Sequence, residues 1–149
     1  MSTQAKLNEM STMTHRAAKS RRLLATRALL ASLAFWGCGQ LCLVPHYAGS
    51  AVSPHAIGWL SVAIVPPTVA LLAWWFLRFS RTPKPQAAAV LSLALLSIHI
   101  PADLLFGSIV LPELLISHWP FLVFWYACFA AIPLMAAFAL RHKEFDHVA

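Results

Sequence analysis

Four apolar runs separated by short polar stretches set the pattern of this chain, at about residues 23–44, 56–79, 87–111 and 119–140. A helix crosses a bilayer core about 30 Å thick in about 20 residues, and each run is close to that length. The pattern therefore predicts an all-α integral membrane protein, a four-helix bundle of up-down-up-down topology. Residues 1–22 are polar and basic and hold too little apolar surface to order themselves, so they are expected to form a disordered cytoplasmic tail. Residues 141–149 make a second, short charged tail.

Each run has its own punctuation. Arg27 lies one turn inside the first, where its long side chain can snorkel back to the headgroups. A turn-rich connection with Pro45, Gly49 and Pro54 leads to the second run, which holds Pro66-Pro67 near its middle. Proline removes a backbone donor and clashes with the preceding turn, so a kink or a locally unwound turn is expected there. Trp74, Trp75 and Arg78 at the end of this run are the aromatic and basic anchors of an interface. Residues 80–86 form a short basic turn, Pro101 interrupts the third run, and Pro112, Glu113, His118 and Pro120 mark the connection to an aromatic-rich fourth run that contains Pro133.

Composition agrees with this pattern, and charge adds an orientation to it. Of the 149 residues 60% are hydrophobic and 11% charged, more apolar surface than a water-soluble fold of this size could hide. The net charge of +6 does not point to nucleic acid, because the basic residues lie outside the apolar runs rather than on one recognition face. Lys6, Arg16, Lys19, Arg21, Arg22 and Arg27 precede or open the first run. Arg78, Arg81 and Lys84 join the second to the third, Arg141 and Lys143 follow the fourth, and the other two connections contain none. By the positive-inside rule both termini are cytoplasmic, with some attraction of the basic ends to anionic headgroups. A cleaved signal peptide competes for the first run, but no small-x-small site closes it, and nothing specific favours a transit peptide.

Asp103 is the first candidate for chemistry. It lies roughly 25 Å along the third helix from the cytoplasmic edge, in the outer half of the membrane. At about 100° per residue, Ser92, His99 and Asp103 share one narrow face that is expected to point into the bundle, and Glu113 would extend it if the helix ran on through Pro112. One reading is a proton- or cation-handling stripe, with the Ser97 carbonyl freed by Pro101 as a further acceptor. The other is a packing role, in which Asp103 hydrogen-bonds Gln40 at a similar depth in the first run and fixes the helices.

Metal ligands are the second candidate. His46, His55, His118 and Glu113 fall on the outer side, and imidazoles with a carboxylate suit zinc or copper, although the spacing matches no metal motif. Cys38 and Cys42 stand one turn apart, with Cys128 of the fourth run at a comparable depth, so three thiols could pass a soft metal ion inward. Against this, Ala31, Ala34, Cys38 and Cys42 make one stripe of small side chains that would let a neighbouring helix approach closely. The cysteines lie within the runs and give no disulfide framework of the secreted kind. Haem is not expected, since His99 is the one deeply placed imidazole, and no other cofactor is indicated.

No phosphate-cradling glycine loop, nucleophile elbow, HExxH or CxxC occurs, and the polar stretches are too short for a catalytic domain, so an enzyme is not expected. Phe35-Trp36-Gly37 with Gln40, the proline pair of the second run, Pro101-Ala102-Asp103 and the aromatic fourth run resemble small four-helix bacterial inner-membrane proteins of uncharacterised function. That resemblance covers roughly residues 23–140 and implies a topology and a location but no activity. The expectation is a non-enzymatic, membrane-embedded interaction or assembly subunit, partnered by the lipid bilayer and by other membrane proteins or a second copy. Two alternatives stand beside it: a small proton- or cation-coupled transporter or channel component using His99 and Asp103, and a soft-metal carrier using Cys38, Cys42 and Cys128.

Overall fold

The computed structural model is all-α; it describes residues 3–47, 54–110 and 112–146, with side chains described over 18–41, 56, 58–106, 108–109 and 119–140. Four helices follow one another along the chain: α1 (Thr3–Tyr47), α2 (Pro54–Arg78), α3 (Lys84–Val110) and α4 (Pro112–Asp146). Proline opens both α2 and α4, in the first turn, where a missing N–H breaks no intrahelical bond.

Among the described residues, three helices carry a run long and apolar enough to cross a membrane: Gly58–Arg78, Lys84–Phe106 and Trp119–Leu140. Within these runs only 22%, 28% and 28% of the residues are buried inside the protein. Leu60, Leu71, Leu93, Leu105, Met135 and Phe138 are each more than half exposed, while Ser32, Ser92 and His99 are buried. A soluble protein would carry a large sticky surface with this distribution, whereas in lipid the apolar rim is solvated and the polar groups must find partners inside. In α1 the apolar run also contains Arg27 and Gln40, and its side chains from Cys42 onward lie outside the described residues.

Small residues bring the helices together. Ala28, Ala73, Ala87, Ala88, Ala94 and Ala137 are buried with Leu77, Leu91 and Leu95, so backbones approach closely and leucines fill the gaps between them. The helix α3 packs along both α1 and α4, α4 also packs along α2, and α2 meets α3 only briefly. Ser92 reaches Ala130, His99 meets Phe129 and Asp103 reaches Tyr126, an order that makes α3 and α4 antiparallel. Phe35 meets His99 and Trp36 reaches Asp103, so α1 and α3 run the same way. Trp59 meets Phe121 near the starts of α2 and α4.

Three local expectations differ from what is observed. The basic segment 1–22 is helical from Thr3 onward, as the start of α1. It contains neither proline nor glycine, and extending a helix already nucleated by the apolar run costs little per residue. Of the kink or unwound turn expected at the proline pair, the unwound turn is absent: α2 stays α-helical through Pro66 and Pro67. There the Thr68 hydroxyl donates to the carbonyls of Ile64 and Val65, both at 2.9 Å, and steadies the turn around the prolines. The connection expected at 112–118 is helical too, being the first turns of α4.

Candidate functional site

The third helix is the polar axis of the molecule. Its Ser92, His99 and Asp103 all engage α4, and two of the three also meet α1. This follows from α3 lying between those two helices, so that a stripe repeating every three or four residues meets partners on both sides.

Asp103 is held from two directions. The Trp36 indole Nε1–H donates to Asp103 Oδ1 at 2.9 Å, and the Tyr126 hydroxyl donates to Oδ2 at 3.3 Å. An indole N–H can only donate, and a carboxyl group in an apolar setting needs donors, so the two satisfy each other. Asp103 is the one acid among the residues with described side chains, and it is partly rather than fully buried. Its bonds do not go to Gln40, the partner expected from depth alone; the indole one turn earlier in α1 takes that place.

His99 lies one turn below, 5% exposed, between aromatic rings. Its centroid is 4.5 Å from that of Phe129 and 5.7 Å from that of Phe35, and those two phenylalanines meet edge to face at 6.1 Å. The Nδ1 atom is 2.9 Å from the Leu95 carbonyl of its own helix. A carbonyl can only accept, so Nδ1 carries the hydrogen and Nε2 of the neutral ring is left as an acceptor. No described hydrogen bond joins His99 to Asp103, so direct proton exchange between them has no path in this arrangement.

Lower still, the Ser92 hydroxyl donates to the Ala130 carbonyl at 3.1 Å. Ala130 is next to Phe129, whose carbonyl faces Pro133 one turn on and so has no backbone N–H to accept from at that position. Two buried polar atoms have no partner among the described residues: Ser32 Oγ on α1 and Trp125 Nε1 on α4.

The other candidates are less gathered. Cys38 is exposed and Cys128 half-buried, both as free thiols, and the side chains of Cys42, His46, His55, Glu113 and His118 lie outside the described residues. Among the described residues no group of three His, Cys, Asp or Glu side chains could hold a metal ion. Of the small-residue stripe of α1, Ala34 and Cys38 are exposed, Ala31 is half-buried and the Cys42 side chain lies outside the described residues; beside it, a Cβ added at Gly37 would meet nothing within 4 Å.

The sequence analysis names Trp36 only within Phe35-Trp36-Gly37 and does not name Tyr126, and it expects neither as a partner of Asp103. A signal for both was present: an indole and a phenol well inside apolar runs, away from the interfaces where such rings usually sit, need an internal acceptor. Comparison with protein-family models, curated proteins and solved structures gives no match to this chain.

Proposed function

We propose that this chain is a non-enzymatic, multi-pass subunit of a bacterial inner membrane, crossing it four times with both termini in the cytoplasm, and that it acts by packing against other membrane proteins or a second copy. The observation that carries this reading is the bonding of Asp103. Both oxygens of its carboxyl group are occupied by donors from α1 and α4. A group engaged in this way cross-links helices rather than waiting for an ion. The outward small-residue face of α1 supports a lateral partner, since Ala34, Gly37 and Cys38 leave room for close approach. The parallel course of α1 and α3 and the antiparallel course of α3 and α4 support the alternating topology, and the described basic residues flank the same ends of the runs.

A leucine at Gly37 tests this, because it enters open space and leaves the fold of the single chain intact. Gly37→Leu is expected to abolish association with the partner and the cellular function, while Asp103→Asn preserves both. The reverse result would sink the packing role.

A second reading, a small proton- or cation-coupled transporter component, is favoured by one observation: Asp103 is not sealed off, and His99 lies on the same face one turn away. Under that reading a pH-dependent flux into liposomes would vanish in Asp103→Asn with the fold unchanged. Of the three thiols of the soft-metal alternative, Cys38 is exposed, Cys128 is half-buried and the side chain of Cys42 lies outside the described residues.

A further inference from the structure

The end of α2 is unlike the rest of the apolar surface. Leu71, Trp74, Trp75, Arg78 and Phe79 recur at spacings of three and four and so share one face. All five are exposed, Trp74 by 44%, Trp75 by 50% and Phe79 by 57%. The Arg78 guanidinium lies over the Trp74 ring, 5.1 Å from its centroid, and Trp75 meets Phe79 edge to face at 6.1 Å. Stacking on an indole holds the arginine in place without a carboxylate. The one described acid, Asp103, belongs to the far half of α3.

The turn that follows is ordered. Lys84 Nζ donates to the Leu77 carbonyl at 2.8 Å and to that of Ser80 at 3.5 Å, the Thr82 N–H donates to Ser80 Oγ at 3.2 Å, and the Ala87 N–H donates to the Pro83 carbonyl at 3.0 Å. Lys84 is thus engaged with the carbonyl end of α2, where a cation also suits the helix dipole. Arg78 and Arg81 are left as the exposed cations, on a backbone that does not need to be ordered on binding.

We propose that this face is a binding site for an anionic glycerophospholipid, its phosphate taken by Arg78 and Arg81 and its acyl chains lying along Leu71, Trp75 and Phe79. A guanidinium is planar, weakly hydrated and forked to fit two phosphate oxygens, which distinguishes it from the lysine beside it. Indole rings at headgroup level supply an apolar body and an N–H donor. Cations above and exposed apolar rings below fit an amphiphile, whereas soluble phosphate or a nucleic acid would make no use of the rings. The site rests on the membrane reading given above.

The test is native mass spectrometry of the full-length protein in detergent, incubated with equimolar phosphatidylglycerol and phosphatidylcholine. The wild type is expected to retain phosphatidylglycerol roughly thirtyfold over phosphatidylcholine, the size expected for two cations at a lipid surface. Arg78→Gln with Arg81→Gln should bring that ratio to about one, Trp74→Leu should lower it partway, and Arg21→Gln with Arg22→Gln on α1 should leave most of it in place. If the double variant does not fold, Arg78→Lys, which keeps the charge and loses the fork and the stacking, carries the test with a partial loss. Equal retention by the wild type, an unchanged preference in the α2 variants, or an equal loss in the α1 pair overturns the proposal. Displacement of the lipid by inorganic phosphate alone would overturn the lipid as ligand. Alkaline extraction of the membranes separates the two claims: a protein that stays in the pellet without lipid preference defeats this site only, and one that is released defeats the membrane reading itself.

Discussion

At Asp103 the arrangement of donors makes different substitutions cost different amounts. Trp36→Phe keeps most of the ring and deletes the Nε1–H that reaches Oδ1, leaving an acceptor in an apolar place without its donor. The expected loss is about 1–2 kcal/mol in reversible unfolding from mixed micelles, toward the upper end for a bond between helices in lipid. Asp103→Asn keeps the shape, can still accept from Trp36 and can donate to Tyr126, and is expected to stay within about 1 kcal/mol of the wild type. Ser32 is the opposite case, a fully buried hydroxyl with no partner, so Ser32→Ala should be neutral or stabilising by up to about 1 kcal/mol in the same assay. A clear destabilisation would mean that the hydroxyl makes a bond the present geometry lacks. Asp103 and His99 stood out in the sequence because a polar side chain deep in an apolar run is conspicuous by type alone. Their partners did not, since in a run that is apolar on every face nothing in the pattern tells which aromatic ring points inward, and depth alone suggests Gln40.

Among the elements, Gly58 of α2 lies directly against the Phe121 ring of α4. A Cβ on Gly58 would run into that ring, which also meets Trp59 at 5.7 Å. Gly58→Val is therefore expected to push α2 from α4 and to cost about 1–3 kcal/mol. Adding Phe121→Ala should recover part of that loss, because the new side chain then has a cavity to enter; strictly additive effects in the double-mutant cycle would argue that the two do not touch. The existence of the helices was legible, since long apolar runs bounded by charge leave few alternatives. Their ends were less so. The connection between α3 and α4 looked like a polar loop because it holds Glu113 and His118, yet Pro112 is compatible with a first helical turn, and composition alone does not separate a polar loop from a polar first turn. Likewise the basic segment at the start of α1 was read as unable to order itself by burial, whereas a helix can extend from a neighbouring anchored run without burying anything.

For the whole molecule the decisive feature is its apolar exterior. Leucines, phenylalanines and tryptophans stand outward around a core that is itself apolar and encloses Ser92 and His99, and alanines let the helices come close enough for Trp36, Asp103 and Tyr126 to join. Such an exterior makes sense when lipid is the solvent and fails in water. Under the proposed four-crossing topology charge sets direction, because Arg21, Arg22, Arg27, Arg78, Arg81 and Lys84 flank the runs at ends that alternation would bring to one side. The most direct test is labelling of single cysteines in spheroplasts with a membrane-impermeant maleimide, in a chain whose Cys38, Cys42 and Cys128 are replaced by alanine. Gly49→Cys should react in intact spheroplasts and Thr82→Cys only after the membrane is opened. Reaction of Thr82→Cys from outside, or equal reaction of both before opening, would contradict a protein threaded through the bilayer with its basic end inward.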